Sequence, residues 1–139
     1  MQRAFLGVLM LAAAVAAAGC DNDVEDRSPT EPPPTVTETF DGSINPNGAM
    51  THTFNVSVGG TVTATLLQSA PDPSSAIGFA IGTWNATSSI CQVVISNDNA
   101  AQGTILTGSA SRGGTLCTRI YDTGRLTGAV SYTISVTHP

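Results

Sequence analysis

The sequence predicts an all-β fold, an antiparallel sandwich of seven to eight short strands, and three observations predict it. From Val36 onward, apolar and polar residues alternate with a period of two in short runs, and no helical period appears. Gly, Asn, Asp and Pro punctuate those runs at the spacing of turns. Thr, Val and Ile fill them, as pleated, half-buried surfaces favour. One apolar face per strand fits two packed sheets better than a closed barrel.

Taken in order, Phe54, Val56 and Val58 alternate with Thr53, Asn55 and Ser57, and Gly59-Gly60 reads as a hairpin turn. Val62, Ala64 and Leu66 form one face of the returning strand. Ala70-Pro71-Asp72-Pro73-Ser74-Ser75 is a loop. Ile77, Phe79 and Ile81 share a face, with Gly78, Ala80 and Gly82 behind. Residues 90–95 form a strand that Ser96-Asn97-Asp98-Asn99 ends, and residues 103–107 form a short one. Gly113-Gly114 turns into a strand over residues 115–121, in which Leu116, Thr118 and Ile120 alternate. The last strand carries Tyr132, Ile134 and Val136 on one face.

Before this region lies a leader. Arg3 precedes an uncharged stretch rich in Ala, Leu and Val, residues 4–19. That stretch is short of the ~20 residues a membrane span needs and reads as a signal peptide, residues 1–19. It ends in Ala17-Ala18-Gly19-Cys20, which resembles the lipobox of bacterial lipoproteins. The resemblance implies a diacylglycerol, with palmitate-like chains, on the Cys20 thiol and cleavage just before it. The chain would then be exported and held by membrane lipid, at the periplasmic face or the cell surface. An ordinary cut after Ala18 would instead leave Cys20 as a free thiol. Cysteine arithmetic favours the lipid, because acylating Cys20 leaves an even pair, Cys91 and Cys117.

Cys20 and residues 21–35 form a stalk, DNDVEDRSPTEPPPT after the cysteine. It is acidic, proline-rich and nearly without apolar residues, so it is expected to be a disordered spacer with a polyproline bias at Pro32-Pro33-Pro34. Residues 36–139 then make one domain. Cys91 and Cys117 fall in two different predicted strands. A disulfide between them would close a loop of roughly 25 residues, worth about 3–4 kcal/mol in the chain-entropy model. Two buried free thiols are the alternative, and an oxidising compartment favours the bond.

The net charge of −5 comes mostly from the stalk, and the β region carries no basic patch. Nucleic acid is therefore excluded as a partner. All five basic residues are arginines; the absence of lysine excludes a P-loop, a Schiff-base lysine and a pyridoxal-phosphate site.

Several stretches resemble the bacterial pre-peptidase C-terminal domain. They are Phe40-Asp41-Gly42-Ser43-Ile44, His52-Thr53-Phe54-Asn55-Val56, Gly59-Gly60-Thr61-Val62, Gly114-Thr115-Leu116-Cys117-Thr118-Arg119-Ile120 and Tyr132-Thr133-Ile134-Ser135-Val136. The resemblance implies a jelly-roll-like sandwich without catalytic function, of a kind usually appended to exported enzymes and in some cases binding calcium or extracellular polymers. This chain departs from the pattern. It has no attached enzyme, Leu116 stands where an aromatic is common, and the Cys91/Cys117 pair is not a general feature.

No catalytic set stands out: there is no HExxH and no G-x-S-x-G, and His52 and His138 have no spaced partners. No cofactor motif and no zinc spacing occurs. Asn97-Asp98-Asn99, with Asp41 and Asp72, is the one calcium idea, and turn chemistry explains it more simply. The candidate ligand contacts are Trp84, Arg119 and Tyr121. Trp84 lies opposite the Ile77, Phe79, Ile81 face if the strand extends that far, and otherwise caps the core. Arg119 and Tyr121 share a face with Cys117. The expected function is a non-catalytic binding or adhesion module of the cell envelope, for a protein or glycan. The alternative is an accessory subunit of an envelope assembly.

Overall fold

Alternation of apolar and polar residues becomes eight strands, in a computed structural model that describes residues 31–139. The expected signal peptide, Cys20 and most of the expected stalk lie outside the described residues; residues 32–35 are exposed and without regular structure. The strands are β1 (Val36–Ile44), β2 (Ala49–Val56), β3 (Gly60–Ala70), β4 (Ile77–Asn85), β5 (Ile90–Ala100), β6 (Ile105–Ala110), β7 (Gly114–Tyr121) and β8 (Val130–His138). They form two antiparallel four-stranded sheets, in the orders β1-β8-β3-β6 and β2-β7-β4-β5.

The winding is that of a jelly roll. The chain behaves as one long antiparallel ribbon bent double at the β4–β5 turn, which pairs β1 with β8, β2 with β7, β3 with β6 and β4 with β5. Wrapping that ribbon puts successive pairs in opposite sheets, where β3 meets β8 and β4 meets β7. The core lies between the sheets and includes Phe54, Leu66, Phe79, Ile120, Ile134 and Val136. Each such side chain contributes about 1.5–3 kcal/mol by leaving water.

The faces expected from alternation hold for Val62, Ala64 and Leu66, for Ile77, Phe79 and Ile81, and for Tyr132, Ile134 and Val136. Four local expectations are corrected. Gly59-Gly60 makes no hairpin, because β2 and β3 belong to different sheets. The segment 57–59 is an arch that packs against the second arch at 111–113. A Cβ on Gly59 would sit 2.8 Å from the Ser111 carbonyl oxygen, and one on Gly113 would collide with that of Ser57. The glycines are there so that two backbones can touch. Val58 is the next correction: it lies in this arch, beyond the end of β2, and is exposed.

The Asn-Asp-Asn stretch does not end a strand either: β5 runs through it to Ala100. Ser96 pairs with Ala80, Asn97 with Phe79 and Ala100 with Ile77. Pairing with β4 overrides the local turn preference, and Asn97 Oδ1 accepts from the Asn99 N–H at 2.9 Å, where the register slips. Finally, β6 starts at Ile105 rather than at residue 103. Gly103 has φ of +91°, and its N–H bonds the Leu66 carbonyl at 2.7 Å, so it belongs to the turn.

Candidate binding surface

The outer face of the β2-β7-β4-β5 sheet is built from a strip of small residues. Alternation along β4 sends Ile77, Phe79 and Ile81 into the core and leaves Gly78, Ala80 and Gly82 behind them. Their partners on β7 are Tyr121, Arg119 and Cys117 in turn. The Tyr121 ring lies directly on Gly78, where any Cβ would collide with it. Gly82 is covered by the Gln92–Val93 backbone in the same way. The β4–β5 hairpin therefore curls over the sheet, and its curl brings Cys91 to Cys117. Their Cα atoms are 5.8 Å apart although β4 lies between β5 and β7 in the sheet, and the two are joined as a disulfide.

Arg119 and Tyr121 come together on this face as their shared parity requires, the guanidinium 5.8 Å from the ring centroid. The Tyr121 hydroxyl donates to the Asp98 carboxylate. Burial, and then the bonded and charged Asp98, raise the Tyr121 pKa above its ordinary value. The Arg119 Nε is buried without a hydrogen-bond partner among the described residues. Arg125 donates to the Asn99 side-chain oxygen.

Trp84 does not join them. β4 continues to Asn85, so Trp84 falls on the outer face by parity, half-buried and paired with Cys91. Four residues of strand, roughly 13 Å, separate it from Ala80, the partner of Arg119. The disulfide stands between the two places. The three acidic residues weighed for calcium are each engaged elsewhere. Asp98 accepts from Tyr121, Asp72 accepts from the Ser74 N–H at 2.9 Å, and Asp41 accepts from the Thr133 hydroxyl at 2.5 Å. Among the described residues, no three His, Cys, Asp or Glu side chains gather where a metal could be held.

His52 has a structural setting. It stacks on Phe40 at 5.0 Å, and its Nε2 is 2.8 Å from the Tyr132 hydroxyl. Burial lowers its pKa against the opposing pull of Asp41, and burial pushes the Tyr132 phenol up to about 12. His138 packs on Phe54 at 5.1 Å and reaches Glu38 at 2.9 Å. These groups close the sandwich along its β1/β2 side.

The opposite side is open, and sequence reasoning missed it. β5 and β6 are the last strands of their sheets, and between them runs a groove of about 410 Å³. Val62, Ile81, Ile95 and Leu116 floor it, Gly108 leaves it wide, and Arg112 stands at one lip. At the other lip the β4–β5 register slips between Ile81 and Gly82, which leaves Val94 without a partner on β4. A bulge of this kind re-aims a side chain. Val94 is 70% exposed, Ile90 54% and Val93 46%. The available signals were the two adjacent valines and the small-residue run Gly108-Ser109-Ala110-Ser111.

No protein-family model matches the sequence, and no curated protein matches it.

Proposed function

We propose that this chain is an exported, lipid-anchored cell-envelope protein whose β-sandwich is a non-catalytic binding module for a protein partner. One observation carries the binding reading: Ile90, Val93 and Val94 are all exposed on β5, Trp84 is half-buried on the neighbouring β4, and Val94 also lines the apolar groove. Exposed apolar patches of this kind mark interaction sites. Branched aliphatic side chains offer a sugar neither a flat stacking face nor hydrogen bonds, so a protein is favoured over a glycan. Support for export and anchoring comes from the order of leader, small residues and Cys20 in the sequence, and from the pairing of the other two cysteines, which suits an oxidising compartment.

The test uses the full-length lipidated protein in native envelopes. Fatty-acid labelling should be lost in Cys20→Ser. Mild cross-linking should recover a stoichiometric protein partner, lost in Val94→Asp, which places an uncompensated charge in the apolar edge. Enriched polysaccharide, lost in Trp84→Ala, would replace the protein reading with a glycan one. A partner retained by Val94→Asp would move the binding surface elsewhere.

A further inference from the structure

The outer face of the β2-β7-β4-β5 sheet offers what the exposed β5 aliphatics lack, a flat ring with free hydrogen-bonding groups on both flanks. Register sets the place of that ring. Tyr121 on β7 lies opposite Gly78 on β4, and its hydroxyl reaches Asp98 on β5, so the side chain lies down across β4. A Cβ on Gly78 would be nearly equidistant from three consecutive ring atoms, Cδ2, Cε2 and Cζ. It would enter through the face of the ring and not the edge, so the ring lies flat on the glycine. The other face of the ring points away from the sheet, and Tyr121 is part-exposed. The flanks carry opposite charges. The Arg119 guanidinium stands 5.8 Å from the ring centroid, and among the described residues no hydrogen bond or ion pair reaches it. A charged donor without a partner is costly where it is buried, as the Arg119 Nε is. Asp98 takes the phenol on Oδ1, and among the described residues Oδ2 accepts nothing. The row through Arg119 adds two hydroxyls, Thr51 on β2 and Ser96 on β5.

We infer that this face binds a neutral polysaccharide, one sugar ring stacking on Tyr121 while its hydroxyls accept from Arg119 and donate to Asp98. Charge selects the occupant. An anion drawn to Arg119 meets Asp98, and a cation drawn to Asp98 meets Arg119. A sugar hydroxyl both donates and accepts, so a neutral ring satisfies both flanks at once. Its C–H face covers the outer face of Tyr121, whose ring is apolar and whose polar tip is already engaged. A peptide gains less here. β4 and β7 are interior strands with their backbone groups paired in the sheet, so this face presents side chains alone and no edge to extend. The site is separate from the β5 residues proposed to hold a protein partner, and it stands or falls without them.

The experiment titrates the full-length protein with cellohexaose, chitohexaose, mannohexaose and, as the anionic probe, hexagalacturonate. At least one neutral hexasaccharide should bind. Tyr121→Ala should weaken it roughly tenfold, the scale of one aromatic contact, and Arg119→Gln by a similar factor. Saturation transferred from the Tyr121 ring protons should reach the sugar C–H protons in wild type, which tests the stacking even where Tyr121→Ala lowers the melting temperature. Asp98→Asn keeps an acceptor for the phenol at an exposed position, so folding stays intact, and matching thermal melts verify this. With the repelling charge gone, this variant should bind hexagalacturonate several-fold more tightly than wild type does. A wild type that binds no neutral probe, or that binds hexagalacturonate more tightly than all of them, overturns the inference. Neutral binding lost in Trp84→Ala and retained in Tyr121→Ala also overturns it, by moving the sugar to the β4–β5 tip. The protein partner is judged separately, by its loss or retention in Val94→Asp.

Discussion

The two long sides of this sandwich are built from the same alternating strands and end in opposite states. On the β1/β2 side, Phe40, His52 and Tyr132 stack across the gap, and Phe54 and His138 continue the seal toward Glu38. On the β5/β6 side no aromatic pair spans the sheets among the described residues. Gly108 stands on β6, and the apolar floor opens into the groove. Closure of a sandwich is thus decided by the few side chains that bridge its edges, and not by its strand pattern. Where large rings are replaced by glycine, the same core becomes a surface.

That contrast is broken most strongly in the sealed half. Phe54→Ala removes a ring that is 2% exposed and should cost about 3–5 kcal/mol in urea unfolding. Val94→Ala, at the open lip, should change stability by less than about 0.5 kcal/mol. Comparable losses at the two positions would deny that only one side is sealed.

The disulfide sharpens the comparison next. It ties the curled β4–β5 tip to β7, closing a sequence separation of 26 residues. Cys91→Ala with Cys117→Ala should lower stability by about 3 kcal/mol. Hydrogen exchange should rise first near Ile90 to Val94, with β1 and β2 protected until global unfolding. A uniform rise would mean that the bond holds the whole fold and not the β4–β5 tip alone.

A smaller effect distinguishes the sides by pH. His52 is held neutral by burial, its pKa below the ordinary 6.5, whereas the unfolded chain takes up its proton near that value. In the interval between the two values the unfolded state binds more protons, so stability is full above about pH 6.5 and falls as pH drops through that interval. His52→Gln should flatten this part of the stability profile. An unchanged slope would assign the dependence to another group.

The smallest expected change is Gly108→Ala. Its Cβ would meet the Ile95 and Ile81 methyl ends at 3.0 and 3.3 Å, side-chain tips that can give way. The gain in backbone stiffness offsets the tight contacts, so melts should shift stability by about 0.5 kcal/mol or less while the groove narrows. A large loss would show the groove to be part of a rigid core.

Much of the fold was legible because alternation reports which side chains are buried, and Ile134 or Leu66 needs no partner strand to reveal its face. Export logic likewise paired Cys91 with Cys117. What alternation does not report is which strand lies beside which. Gly59-Gly60 looks the same in a hairpin and in an arch between sheets, and only the partners of β2 and β3 decide. The second half of β5 is polar enough to read as a turn until β4 pairs with it. The site was less legible still. Arg119 and Tyr121 meet because they are two residues apart on one strand. The groove joins residues as distant as Val62, Val94 and Arg112, and it exists only once the ribbon has wound.

The open side as the binding side is tested most directly by placing a photo-cross-linking residue at Val94, and separately at Met50 near the sealed side, in cells making the full-length protein. Both positions are exposed, at 70% and 43%. A discrete protein adduct from Val94, with none from Met50, is the expected result. An adduct from Met50 with none from Val94 would contradict it and place the working surface on the sealed half.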